Sequence, residues 1–141
     1  MSLKNLSVRN KIPNNYKFKL TNQRVSQIYK KFEDSFRINT NFIVAVSGGA
    51  DSLSLSYLSK IFAYKNDLNP KYYIVDHKLR KDSSNEALKV KKVLKSLNIN
   101  AQILTVKGKK PQNGIQSFAR DKRYNLLFSK CKKLKIDNLV L

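Results

Sequence analysis

Ser47-Gly48-Gly49-Ala50-Asp51-Ser52 is the segment of this chain whose residue types and spacing could do chemistry. Two adjacent glycines let a backbone turn sharply and approach a ligand with no Cβ in the way. A helix starting just after them would aim unpaired N–H groups and a positive dipole end at that ligand, an arrangement that suits phosphate. Ser47 and Ser52 add hydroxyls on either side. Asp51 would repel a bare phosphate, so a carboxylate here makes sense as a ligand for Mg2+ bridging phosphate oxygens. No Gly-Lys-Ser/Thr ends the loop and the glycine spacing is not that of a dinucleotide fingerprint, so neither of those sites is present. The structural alternative is an ordinary strand-to-helix joint with serine caps. The Asp inside the loop and the Ser on both sides weigh against it.

For the loop to act, a strand must end at it and a helix must leave it. Phe42-Ile-Val-Ala-Val46 is a continuous apolar run, as expected for a strand buried on both faces of a parallel sheet. Leu53, Leu55, Leu58, Ile61 and Phe62 mark a helix that ends near residues 66–70. The alternation continues with a strand at Tyr72–Val75, a helix through Ala87, Val90, Val93, Leu94 and Leu97, and a strand at 101–106. A long helix follows over 115–133, and a fourth strand opens at 138–141. Ser83-Ser-Asn-Glu86 reads as a capping box, with Glu86 bonding back to the helix start. Ahead of the first strand, Val25, Ile28, Tyr29, Phe32 and Phe36 recur at helical spacing, with Thr21 or Asn22 as the cap. Residues 1–20 are basic and without clear period, and read as a lead-in arm. Repeated strand–helix units predict an α/β fold, an open parallel sheet with helices on both faces, over residues 21–141. Ligands of such sheets bind outside the carboxyl ends of the strands, which is where the glycine loop falls.

Composition bounds the reading. The chain has 141 residues, 41% of them hydrophobic, which is enough for one packed domain and excludes wholesale disorder. No apolar run is long enough for a membrane span, and residues 1–11 lack the apolar core of a secretory signal. The single cysteine, Cys131, suits a reducing cytoplasm and cannot form a zinc site alone. The net charge of +20 is uneven: nine basic against two acidic residues in 1–40, five against three in 41–80, and fifteen against four in 81–141. Part of it is a Lys/Asn bias of the kind an AT-rich coding sequence produces. The rest would draw a polyanion such as RNA or DNA to the surface.

The glycine loop matches the SGGxDS signature of the N-type ATP pyrophosphatases, or PP-loop enzymes. The resemblance implies a Rossmann-like fold of the adenine nucleotide alpha hydrolase type and cleavage of ATP between its α- and β-phosphates. Several families share that loop. Val75-Asp76-His77-Lys78-Leu79-Arg80, followed by Ser83 or Ser84 and Glu86-Ala87, is similar to the VDHGLR stretch of the bacterial tRNA(Ile)-lysidine synthetase family. Gln116-Ser-Phe-Ala-Arg120 with Arg123-Tyr124 resembles that family's Q..AR..RY helix. The three motifs occur in order and cover roughly residues 41–128.

The resemblance implies ATP-binding residues Ser47, Gly48, Gly49, Ala50, Asp51, Ser52, Asp76, His77 and Arg80, with Asp51 also the Mg2+ ligand. It implies Asp51 and Arg120 as catalytic, Arg120 neutralising phosphate charge during adenylation. Each residue also has a plain structural reading. His77, the only histidine, could be structural; Asp76 could cap a turn; Arg120 and Arg123 could be a solvated basic face. Arg80, one of only six arginines, suits a bidentate phosphate or carboxylate clamp. Tyr124 reads as core packing and Cys131 as a small helix residue. Lys78 departs from the family's glycine and would be strained if the turn requires φ > 0.

The implied reaction joins free L-lysine to the wobble cytidine of a tRNA(Ile) with a CAU anticodon, using ATP and Mg2+. In that family a His-His-x-x-Asp-Gln segment and tRNA-binding regions follow the fourth strand. Leu141 falls before them, so the expectation is a domain incomplete at its C-terminal end, a fragment or a natural truncation, with little activity alone. Lysine specificity and assembly stay open, a homodimer being one option. Another PP-loop family, such as a tRNA thiolase or an amide-forming synthetase, is the alternative among enzymes. A catalytically silent basic RNA-binding module is the alternative outside them.

Overall fold

A computed structural model describes residues 12–141. Two helices lead in, α1 (Asn14–Leu20) and α2 (Gln23–Ser35). The alternating part follows: β1 (Phe42–Val46), α3 (Ala50–Asn66), β2 (Lys71–Asp76), α4 (Ser83–Ser96), β3 (Ala101–Thr105), α5 (Ile115–Leu134) and β4 (Asn138–Val140). The strands form one sheet in the order β3-β2-β1-β4, and every neighbouring pair is parallel. The chain steps outward from β1 to β2 to β3, then returns through α5 to the far side of β1. That reversal puts the topological switch point beside β1, where open α/β sheets bind their ligands.

Strand periodicity assigns the two faces. All five residues of β1 are buried. Phe42, Val44 and Val46 join Tyr72 and Ile74 of β2 in one core, packed by Tyr16 of α1, Tyr29 of α2, Ile61 and Phe62 of α3, and Ala87 and Leu94 of α4. Ile43, Ala45 and Tyr73 point the other way, against Leu127 of α5 with Cys131 at its margin. Period-two alternation thus sends successive side chains to opposite layers. Four helices cover one face and α5 alone covers the other, as right-handed crossovers in opposite directions require.

Local signals behave as their chemistry dictates. Asn22 caps α2, its Oδ1 accepting from the amides of Arg24 at 3.0 Å and Val25 at 3.2 Å. Phe32 and Phe36 stack at 4.6 Å and turn edge-on to Phe62 and Phe42, fastening α2 over the sheet.

Two readings need correcting. The lead-in arm drawn over 1–20 is wrong from residue 12 onward; residues 1–11 lie outside the described residues. Ile12 and Tyr16 are core, and the Tyr16 ring stacks on Tyr57 at 5.0 Å and meets Tyr64 edge-on at 5.5 Å. Its hydroxyl donates to the carbonyl of Leu97 at the end of α4. One aromatic anchor in a seven-residue helix leaves no periodicity to detect. The capping box at Ser83–Glu86 does not form either. Asp82 precedes the helix without a side-chain cap, while Ser84 and Glu86 are drawn to other partners described below.

Candidate nucleotide site

β1 delivers the chain to the loop at Val46, and α3 takes it up at Ala50. Gly48 turns with φ +91°, a conformation open to glycine. A Cβ there would lie 2.5 Å from Cγ2 of Val90, so α4 packs directly on the loop backbone. The hydroxyl of Ser52 folds back to accept from the Ser47 amide at 2.9 Å, and Ser47 Oγ accepts from the Gly49 amide at 3.4 Å. The two serines therefore tie the loop closed. Gly49 occupies the cap position with no side chain to offer, and the first bond into it is Leu53 N–H to its carbonyl at 2.9 Å. The amides of Ala50, Asp51 and Ser52 precede that bond and point out of the helix start, as an anion requires. Asp51 is exposed in the first turn, and its carboxylate makes no hydrogen bond or ion pair among the described residues.

The other wall comes from the carboxyl end of β2. Asp76 is buried and acts as a clasp: Oδ1 accepts from the Lys78 amide at 3.0 Å and Oδ2 from Ser84 Oγ at 2.8 Å, binding β2 to the start of α4. Burial pushes the Asp76 carboxyl up, but the Lys78 amide, the Ser83 and Ser84 hydroxyls and the Lys78 ammonium outweigh it and hold it below the ordinary value. Lys78 has φ +55°, the left-handed conformation foreseen if this turn demanded it. Its ammonium bonds Ser84 Oγ and lies 3.5 Å from Asp76 Oδ2. His77 is half-buried; burial lowers its pKa, the Arg123 guanidinium lowers it further, and Asp76 opposes both, so the imidazole is neutral at physiological pH.

Two cavities meet at this junction. One, of about 220 Å3, lies between the loop and the β2 turn, with Ser47, Asp76, His77 and Arg80 at its polar side and Ile74, Ala87 and Val90 among its apolar walls. The other, of about 240 Å3, lies under α5, with Ser47 and His77 again in the wall and Arg123 opposite. Ser47, Val75 and His77, which line both cavities, thus form the partition. An apolar slot with few polar groups, next to outward-facing helix amides, has the make-up of a site for a flat base beside a phosphate.

The structure brings Ser47, Gly48, Gly49, Ala50, Asp51 and Ser52 together on one turn, and sets Asp76, His77 and Arg80 across the cavity from Ser47. Arg80 reaches away from a clamp pose, bonding Glu86 Oε2 at 2.7 Å on the exposed surface. Arg120 lines neither cavity; it is exposed, with its guanidinium 5.7 Å from the Tyr124 ring centre. Arg123 is the arginine of that helix that faces the junction. Its position one turn before the buried Leu127 was the available signal, since residues four apart share a helix face. Tyr124 is half-buried and stacks on the exposed Phe128 at 5.7 Å instead of entering the core. Ser84 and Val90 were not legible as site residues, because both act through contacts distant in sequence.

A divalent cation fits this loop in one way. Among the described residues no group of three or more His, Cys, Asp or Glu side chains could hold a metal. Asp51 offers one carboxylate beside a phosphate cradle, which suits Mg2+ that keeps water and phosphate oxygens as its other ligands.

Fold and site together define an α/β nucleotide-binding domain with a glycine loop at the carboxyl end of its first strand. Residues 19–141 match the model of the PP-loop domain family, and the chain belongs to that family. It is similar to the tRNA(Ile)-lysidine synthase of Rickettsia akari (strain Hartford), 38% identical over 122 residues that cover 81% of this chain and 27% of that protein. The enzyme of the same name from Rickettsia felis is 37% identical over 122 residues, with the same coverage of 81% and 27%. That of Bartonella henselae is 41% identical over 93 residues, 64% of this chain and 19% of the protein. The chain spans about a quarter of the length of the curated relatives it matches. Among the described residues no helix is long and apolar enough to cross a membrane.

Proposed function

We propose that this chain provides the ATP-binding and adenylating part of a cytoplasmic tRNA-modifying ligase that makes lysidine at the wobble cytidine of tRNA(Ile) with a CAU anticodon. The observation that carries the reading is the cavity shared by the Ser47 loop and the Asp76–Arg80 turn. Those two segments, far apart in sequence, carry the resemblance and also face one another across a single slot.

In the proposed reaction the cytidine C2 carbonyl oxygen attacks the α-phosphorus of ATP and pyrophosphate leaves. The ε-amine of free L-lysine then attacks C2, loses a proton, and AMP departs with the former carbonyl oxygen. The chain's own groups account for the first step. Helix-start amides and the tied loop hold phosphate oxygens, and the apolar walls exclude water from the base. The arginines of α5 offset charge that builds on the phosphates. Mg2+, when held by Asp51, would neutralise charge on the leaving pyrophosphate. Arg120 keeps its proposed catalytic role only if its exposed guanidinium swings off Tyr124 when RNA and ATP are bound. The net charge of +20 favours a polyanionic substrate.

Isothermal titration with Mg-ATP tests the site. Asp51→Asn should weaken Mg-dependent affinity about tenfold or more while leaving the fold intact. Unchanged Mg-ATP affinity in that variant would sink the loop assignment. Transfer of label from α-phosphate-labelled ATP to a tRNA(Ile) transcript with a CAU anticodon tests the chemistry; a C-to-U change at the wobble position should abolish it.

A further inference from the structure

We propose that residues 107–114, between β3 and α5, form a cationic strap that closes over the slot on a nucleotide polyphosphate. Lys110 is its latch, exchanging a backbone carbonyl for a phosphate oxygen as the strap closes. The inference rests on the nucleotide reading above and adds a moving part to it.

The strap, Lys107-Gly-Lys-Lys-Pro-Gln-Asn-Gly114, carries three lysines and no acid. Both of its ends are anchored. The Val106 amide donates to the carbonyl of Asp76 at 2.9 Å, and the Gly114 carbonyl accepts from the Phe118 amide at 2.9 Å as α5 begins. Little holds the backbone between those posts. Among the described residues, the one hydrogen bond made by residues 107–113 runs from Lys110 Nζ to the carbonyl of Leu79. All of these residues except Pro111 are exposed. A stretch with solvated backbone and so few contacts opens at little cost in free energy. Gly108 and Gly114 supply hinges, with φ +106° and +66°. A Cβ on either would meet no atom within 4 Å, so both turn in open space, whereas Gly48 is crowded by Val90.

Leu79 connects the latch to the slot, because it lines the 220 Å3 cavity together with Ser47, His77 and Arg80. The Lys110 ammonium is thus held at a residue of the cavity wall, on a neutral acceptor. A phosphate offers the same ammonium a full negative charge, which favours the exchange. A ligand shifts a conformational equilibrium only by what it gains in one of the two states. Here the gain is the Lys110–phosphate pair. Lys107 and Lys109, exposed and without ion pairs among the described residues, add to the attracting field. A closed strap also keeps water from the phosphates. The competing reading is a fixed staple, in which Lys110 steadies the β2 turn and stays on Leu79 whatever is bound.

Hydrogen exchange read by mass spectrometry tests the strap in the 141-residue chain, free and with Mg-ATP, Mg-triphosphate or adenosine. Residues 107–113 should exchange almost unprotected in the free chain. Mg-ATP or Mg-triphosphate should slow them about tenfold or more, and adenosine should not. Lys110→Gln keeps the length of the side chain and removes its charge. It should lose most of that protection and bind Mg-ATP about three to ten times more weakly. Its melting temperature should match the wild type, which separates a lost latch from a damaged fold. Lys110→Arg restores the cation and should recover both protection and affinity in part. Exchange that Mg-ATP leaves unchanged in the wild type, or slows equally in Lys110→Gln, would overturn the strap and leave a staple. Protection by adenosine alone would overturn it too. Those results, with Mg-ATP still bound, leave the nucleotide reading standing. Failure of that reading shows separately, as Asp51→Asn with unchanged Mg-ATP affinity.

Discussion

Gly48 and Val90 touch so closely that the loop after β1 and the helix α4 leave no room for a side chain between them: a Cβ on Gly48 would sit 2.5 Å from Val90 Cγ2. This contact, between residues 42 positions apart, sets the depth of the slot between loop and helix. Substituting Gly48→Ala should therefore incur two separable penalties, a left-handed backbone at φ +91° and a steric clash. Together they should cost about 2–4 kcal/mol. Val90→Ala in the same chain should recover about 1 kcal/mol, the steric part alone. Urea unfolding of the four proteins measures the coupling. Zero coupling would mean that α4 is not held against the loop.

Asp76 joins β2 to the start of α4 through the Lys78 amide and the Ser84 hydroxyl. Asp76→Ala strands both donors and should cost about 2–3 kcal/mol. Asp76→Asn tests the charge itself. The wild-type carboxyl is held below its ordinary value, so its contribution is complete above about pH 4 and fades as pH falls through the lower folded value. Stability measured from pH 7 to pH 2.5 should fall less steeply at the acid end in Asp76→Asn. Parallel acid limbs would show that the clasp carries no charge-linked stability.

Lys78 occupies a left-handed conformation that a side chain disfavours by about 1–2 kcal/mol. Glycine removes that strain, but it also removes the ammonium contacts with Asp76 and Ser84, worth about 0.5–1 kcal/mol at so exposed a site. Lys78→Gly should therefore be neutral or stabilising by up to about 1 kcal/mol, whereas Lys78→Val should be clearly destabilising. Thermal melts of the two variants check the order; a destabilised glycine variant would show that the ammonium contacts dominate.

Tyr16 is wholly buried, stacked on Tyr57, with its hydroxyl bonded to the Leu97 carbonyl. Tyr16→Ala should cost about 3–5 kcal/mol and Tyr16→Phe about 1 kcal/mol. Removing residues 1–20 should destabilise the domain at least as much as Tyr16→Ala. Circular dichroism melts test both, and an unaffected truncation would return α1 to the status of an arm.

Much of this protein was legible in one dimension. Two-sided burial wrote Phe42–Val46 as an unbroken apolar run, amphipathic helices wrote their own spacing, and the glycine loop lies in six consecutive residues. Such features arise from neighbours along the chain, where period and residue type suffice. What the sequence did not determine are the relations between segments. The side chain of Glu86 chose Arg80 over its own helix start, because an opposite charge lay within 2.7 Å. Tyr16 became core because two other tyrosines, Tyr57 and Tyr64, and the Leu97 carbonyl converge on it, a circumstance invisible in a seven-residue helix. Arg123 faces the junction and Arg120 does not, since the sheet packs on Leu127 and so fixes the rotation of α5. Residue order determined which elements form and where phosphate chemistry could reside. Only tertiary packing decided which cations face that chemistry, because helix rotation and loop depth are set by contacts among residues distant in sequence.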